Sequence, residues 1–222
     1  MIAIDGPAGA GKSTIARGLA TRLGFTYIDT GAMYRALALW ALRQNVDLAD
    51  MHRTEQLAKA AEIGLEAGGR VFLNGEEVTQ EIRTAEVGKA ASVIAVLPGV
   101  RRALVEKQRE MAARSSVVME GRDIGTVVFP DADVKIYLDA NQPERVRRRL
   151  ADFAAQGKSV SPEELAEQIR ERDERDRSRA EAPLTQAPDA TYVDSSGLTI
   201  PEVEEAILRV VRARVSNGKD FS

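Results

Sequence analysis

Residues 6–13 read GPAGAGKS. Ahead of them stands a short, largely apolar run, MIAID, that stops at a Gly-Pro pair. Behind them Ile15, Leu19 and Leu23 recur every four residues, one face of a helix that ends before Gly24. Few local patterns constrain a chain more: a buried strand must stop, the backbone must wrap tightly, and a helix must start. The spacing is G-x-x-x-x-G-K-[ST], a phosphate-binding pattern when a strand precedes it and a helix follows. Its glycines let backbone N–H groups close on phosphate oxygens, and the helix N-terminus adds the positive end of a dipole. Lys12 would set a point charge at the β- and γ-phosphates, and the Ser13 hydroxyl would ligate Mg²⁺. Gly6, Pro7, Ala8, Gly9, Ala10, Gly11, Lys12, Ser13 and Thr14 are therefore the expected ATP-binding residues.

The same alternation continues. Residues 25–28 read as a second short strand, and Thr30 and Gly31 open another helix running through Trp40. Residues 117–119 and 134–138 are further buried strands, each ending at an acid, Glu120 and Asp139, and residues 191–194 are another short strand. The segment 46–92 is mixed. In GLEAGGRVFLNGEEV a Gly-Gly and an Asn-Gly pair separate apolar stretches, and Asn-Gly signals a hairpin, so a small antiparallel insert is expected there. After Pro98 a helix should run to about Ala113. The last third is helical. Ser161 caps a helix with Pro162 in its first turn, and Thr199 with Glu202 opens another whose apolar face carries Ile200, Val203, Ile207, Val210 and Val211. Residues 216–222 read as a frayed tail. The fold class is α/β.

Composition narrows the function. Its 222 residues, 44% hydrophobic and 29% charged, suit one globular domain. Zero cysteine excludes disulfides, thiol catalysis and cysteine zinc sites, and a single histidine, His52, leaves no histidine-rich metal site. A net charge of −3 argues against a surface that coats nucleic acid. The longest strongly apolar stretch, residues 36–42, is too short to span a bilayer, and the N-terminus has no signal-peptide pattern. A cytoplasmic protein, monomeric by default and without nucleic-acid or membrane partners, is expected. The chain lacks the N-K-x-D element with which a GTPase reads guanine, and its length leaves little room for an assembly ATPase. A small-molecule kinase needs a second phosphate-binding surface, and 24 of the 31 basic residues are arginine, whose planar fork grips phosphate bidentately.

The segments GPAGAGKST, YIDTGAMYRA, IRTAEVGKAAS, EGRDIGTVVFPDADVKIYLDA and ERDERDRSRAEAPL together resemble the bacterial cytidylate kinases over nearly the whole chain. The resemblance implies a single domain over residues 1–222 of the P-loop NTPase type, a parallel five-stranded sheet wrapped by helices. It implies a monophosphate-binding region with the small antiparallel insert at about residues 30–97, and a helical lid at 145–180. The implied reaction is ATP-dependent phosphorylation of CMP and dCMP to CDP and dCDP.

The acceptor in such a reaction is already an anion, so no general base is needed and catalysis rests on positioning and charge stabilisation. By resemblance, Arg35 grips the CMP phosphate with Thr30 beside it, Ser92, Arg101 and Asp123 read the cytosine edge, and Arg122 contacts its phosphate. A carboxylate accepting from the cytosine N4 amine is the physical rationale. A local salt bridge between Arg122 and Asp123 is the plain alternative. In the run RERDERDRSR, Arg172, Asp176 and Arg179 fall at i, i+4 and i+7 on a helix with Arg175 beside them, which presents three cations around one acid. The alternative is a solvated face laced with ion pairs. Lys12, Arg122, Arg172 and Arg179 are the expected catalytic residues. Asp29 or Glu120 would order the Mg²⁺ water shell, or Asp29 would simply cap the helix after it. Arg145, Arg147, Arg148 and Arg149 divide between adenine stacking and solvation.

Overall fold

The computed structural model describes residues 1–155, 157 and 159–216, the last two by backbone alone. Of the tail expected to fray, 217–222 lie outside the described residues. In chain order the elements are β1 (Ile2–Asp5), α1 (Lys12–Leu23), β2 (Thr26–Asp29), α2 (Thr30–Arg43), α3 (Met51–Ala60), β3 (Ile63–Glu66), β4 (Arg70–Leu73), β5 (Glu76–Glu77), α4 (Ala85–Ile94), α5 (Pro98–Ala112), β6 (Val117–Gly121), β7 (Val134–Asp139), α6 (Gln142–Ala155), α7 (Pro162–Ser178), β8 (Thr191–Asp194) and α8 (Ile200–Ser216). The chain divides into two compact units, the first built from residues 1–27 and the chain from 116 on, the second from residues 28–115.

The parallel sheet has the order β2-β6-β1-β7-β8. β1 lies between β6 and β7, with Asp5 level with Gly121 on one side and Tyr137 on the other. Every residue of β1 and β6 is buried, as the unbroken apolar runs require of central parallel strands. In the first unit, Ile2, Ile4, Val118, Ile136 and Val193 share one core with Ile15 and Leu19 of α1 and with Val203, Ile207 and Val211 of α8. Each such side chain contributes about 1.5–3 kcal/mol by leaving water. The helix α1 stops at Gly24, whose left-handed backbone turns its N–H onto the carbonyls of Ala20 and Thr21. Ile200 departs from the expected apolar face: it is exposed, because it is the first residue of α8, and Leu208 is buried in the core instead.

In the second unit β3, β4 and β5 form the expected antiparallel insert. Asn74 and Gly75 both take positive φ, 50° and 84°, which a two-residue hairpin turn demands. Met33, Leu37, Leu57, Ile82, Ile94 and Leu104 gather α2–α5 and the insert into a separate core. Two helices here escaped the sequence reading: α3 is announced by Asp50, which caps Arg53 N–H at 2.9 Å, and α4 by Thr84, which caps Val87 N–H.

Candidate functional site

The phosphate loop springs from the end of β1. Gly6 has φ of 149°, and a Cβ there would stand 1.9 Å from the Leu138 carbonyl oxygen, so only glycine passes. Gly11 occupies the N-cap of α1 and carries no side-chain cap, which leaves the first-turn amides open to an anion. Lys12 is buried and donates from Nζ to the Pro7 carbonyl at 2.8 Å. Burial and then the Arg122 charge push its ammonium down to about 7, against the pull of Glu120 and Asp176. Ser13 and Thr14 stand exposed on the first turn.

Three side chains brace the loop from behind. Arg145 donates Nη1 to the Ala8 carbonyl at 3.1 Å and Nε to the Ala140 carbonyl, while Nη1 also meets Asp173 Oδ2 of α7 at 2.6 Å. Arg148 donates Nη1 to the Ala10 carbonyl at 3.1 Å and Nη2 to the Ser195 carbonyl at 2.7 Å. The Ser195 hydroxyl lies within bonding reach of the Asp139 and Ala10 carbonyls, at 2.8 and 3.2 Å. Arg147 and Arg149 are surface residues: the first pairs with Glu144, the second lies over the Phe153 ring.

At the end of β6 the charges concentrate. Glu120 is buried and accepts the Tyr27 hydroxyl at 2.6 Å. Arg122 does not pair with its neighbour Asp123; its Nε donates to Asp176 Oδ2 at 2.8 Å, and Nη1 to the Gly121 carbonyl. Arg179 Nη2 stands 3.9 Å from Asp176 Oδ1. Burial works to raise the Asp176 carboxyl, but Arg122, Arg172 and Arg179 outweigh it and hold the group below the usual range. Three cations do surround one acid, as the i, i+4, i+7 spacing predicts, with two corrections. The third cation is Arg122, one residue past β6, rather than Arg175, whose Nε turns back to the Glu171 carbonyl. Arg179 lies one residue past the end of α7, in extended backbone, and is nonetheless buried.

In the other unit, Asp29 caps α2, with Oδ1 accepting Ala32 N–H at 2.8 Å, and its Oδ2 accepts Arg35 Nη2 at 3.1 Å. Asp29 is thus a helix cap, and the same carboxylate also orients Arg35. Thr30 and Ser92 are buried, and so is Arg101, which donates to the Ala95 carbonyl from the second turn of α5.

The family model of cytidylate kinase matches residues 2–213. The chain belongs to the cytidylate kinase family. The cytidylate kinase of Solibacter usitatus is 67% identical over 224 residues, covering 100% of this chain and 96% of its own length. That of Pelotomaculum thermopropionicum is 52% identical, covering 98% of this chain and 96% of its own. Among solved structures, a gluconokinase from Sinorhizobium meliloti aligns over 97% of this chain and 93% of its own at 15% identity, with a TM-score of 0.50; at that identity the likeness is one of fold.

Sequence reasoning about this family member missed Asp5, Asp173 and Ser195. Asp5 had a visible signal, an acid closing an apolar strand immediately before the glycine loop. Asp173 sits inside the charged run, where composition gives no means to separate a buried acid from its solvated neighbours. Among the described residues no helix is long and apolar enough to cross a membrane, and no three acidic, histidine or cysteine side chains gather into a metal cage.

Proposed function

We propose that this chain transfers the γ-phosphoryl group of ATP to CMP and dCMP, giving CDP and dCDP. The observation that carries the proposal is the buried cluster in which Lys12 of the phosphate loop shares an electrostatic environment with Arg122, Arg172, Asp176 and Glu120. Such a cluster holds several cations where the ATP polyphosphate and the phosphate of the acceptor must be brought within bonding distance, and charge stabilisation is the main demand of the reaction. Lys12, Arg122, Arg172 and Arg179 are assigned to the transferring phosphoryl group, and residues 6–14 to ATP. Asp123 and Asp176 are assigned to the acceptor nucleotide, as are Thr30, Arg35, Ser92 and Arg101, these by family resemblance. Residues 30–97 would bind the monophosphate and residues 145–180 would act as a lid, within one kinase domain.

The donor set suits Mg²⁺, which binds through few protein groups and keeps waters and phosphate oxygens in its shell. The exposed Ser13 hydroxyl would hold it, with Glu120 or Asp29 ordering its waters. When bound, the ion neutralises charge on the β- and γ-phosphate oxygens. We take the protein to be a cytoplasmic monomer acting on small molecules and not on nucleic acid, which agrees with its lack of cysteine.

The test is ADP release measured with CMP, dCMP, UMP, AMP, GMP and shikimate as acceptors. CMP and dCMP should be used best, and release without acceptor should be negligible. Arg179→Ala and Arg122→Ala should each lower turnover by about 10² or more with the fold intact. Acceptor-independent hydrolysis, or preference for a non-nucleotide acceptor, would refute the assignment.

A further inference from the structure

The proposed transfer leaves one buried carboxylate without a role. Asp5 closes β1 one residue before the phosphate loop and is 5% exposed. Its Oδ1 accepts Ile124 N–H and its Oδ2 accepts Gly125 N–H, both at 2.8 Å. Those amides open a wide turn, Ile124–Val128, in which Val128 N–H reaches back to the Asp123 carbonyl and Phe129 N–H to that of Ile124. Turns of this π type recur at functional sites. The turn follows directly on Arg122 and Asp123. A Cβ on Gly125 would meet the Lys135 side chain at 3.1 Å and Asp5 Oδ2 at 3.4 Å, so the approach is close.

The phosphate loop itself is secured independently of this carboxylate. Its Pro7, Ala8 and Ala10 carbonyls are held by Lys12, Arg145, Arg148 and Ser195. What Asp5 adds is a bond from the root of that loop to the segment bearing Arg122 and Asp123. We infer that Asp5 is a positioning residue: its ionised carboxylate pins the Arg122 and Asp123 segment to the strand end from which the phosphate loop springs. The inference rests on the acceptor-binding role proposed above for that segment.

The ionisation state follows from the surroundings. Burial pushes Asp5 up to about 6, while the amides of Gly125 and Ile124 work the other way; Asp123 adds to the rise and Lys12 opposes it. Of the other titratable groups nearby, Tyr137 on β7 feels the Asp5 charge, and Lys135, close to Gly125, has its Nζ committed to the Pro130 carbonyl and Asp189. The raised value means that the folded chain holds the charge at a cost in stability above the unfolded value, a cost expected of a group retained for function. Protonation would set an O–H against one of the two amides and release the pin.

The experiment combines amide NMR of the whole chain with steady-state kinetics, on wild type and Asp5→Asn, across about pH 5 to 8. In wild type the Ile124 and Gly125 amide protons should titrate together near pH 6, and in Asp5→Asn they should not. Because the phosphate of CMP titrates in the same range, the readout is the ratio of variant to wild-type KM for CMP. That ratio should be about tenfold near pH 7.5, the size of one lost charge-assisted hydrogen bond, and fall toward one near pH 5. KM for ATP should not change. Amide shifts that stay flat, a CMP ratio of one near pH 7.5, or an equal rise in KM for ATP would overturn the inference. If Asp5→Asn fails to fold, the wild-type amide titration decides. A wild type that ignores CMP would refute the proposed function while leaving that titration readable.

Discussion

Asp176→Asn probes the cationic cluster most directly. The substitution keeps the side-chain shape and one acceptor oxygen and removes a single negative charge. Arg122 is bonded to Oδ2 at 2.8 Å, Arg179 stands 3.9 Å from Oδ1, and Arg172 acts through its field. After the change Arg122 retains the weaker fields of Glu120 and Asp173. Breaking a buried ion pair from one side costs about 3–5 kcal/mol, and the surviving carbonyl bond to Arg122 puts the expected loss near the lower end, about 3 kcal/mol. For a chain of this length that is a fall in Tm of about 6–12 °C. Inorganic tripolyphosphate supplies the missing negative charge, so it should raise the Tm of the variant more than that of wild type. The sign with pH is fixed as well. The Asp176 carboxyl is depressed in the folded chain, so its contribution is complete above the unfolded value of about 4 and disappears only as pH falls through the folded value. The Tm gap should therefore persist from neutral pH down to about 4 and close below it. Equal Tm values without ligand, or equal gains from tripolyphosphate, would refute this account of the cluster.

Lys12 should show in the pH profile for ATP. Its ammonium is depressed to about 7, so kcat/KM for ATP should fall as pH rises through that value, while kcat at saturation holds to higher pH because bound phosphates favour the charged form; a flat kcat/KM profile would contradict this, and Lys12→Ala should abolish transfer. Gly6→Ala should cost several kcal/mol and ATP affinity, because the new Cβ cannot coexist with the Leu138 carbonyl of β7; normal ATP binding by calorimetry would show the loop to be more compliant than its geometry. Asp173→Asn should raise KM for ATP and destabilise the fold by about 3 kcal/mol, because Arg145 loses its carboxylate partner and Asp173 Oδ1 already lacks a hydrogen bond. An unchanged KM for ATP there would show that Arg145 holds the loop through Ala8 and Ala140 alone.

Much of this architecture was legible because the physics is local. The five strands are short apolar runs bounded by acids or Gly-Pro, and burial on both faces of a parallel sheet leaves few other patterns. The hairpin at Asn74 and Gly75 needs two positive φ values in succession, which Asn-Gly supplies. The phosphate loop carries its own geometry in its glycine spacing. What stayed hidden depends on contacts between distant residues. Asp5 and Gly125 are 120 positions apart, and Arg145 and Asp173 are joined across two helices. The carboxylate that Arg122 bonds, Asp176, lies 54 positions away, whereas the sequence reading weighs only a pairing with the adjacent Asp123 as the alternative to a phosphate contact. No periodicity encodes such pairings, because they are fixed by the order in which the strands enter the sheet.

The charged run on α7 shows how such pairings arise. Asp173 and Asp176 are three residues apart, hence neighbours one turn apart on the same helix surface. Both are buried, while Glu171, Glu174 and Arg177 around them are exposed. The upper acid takes Arg145, whose other bonds run to Ala8 in the phosphate loop; the lower takes Arg122, beside the residue assigned to the acceptor base. One helix is thereby tied to the donor loop through one arginine and to the acceptor loop through another. Arg122 and Arg145 are each bonded to an acid, and Arg179 stands near one, before any substrate arrives. On the proposed assignment, a polyphosphate entering the cluster would compete with Asp176 for Arg122, Arg172 and Arg179, so binding would exchange one anion for another and avoid neutralising a bare cationic pocket whose self-repulsion the fold would otherwise have to withstand.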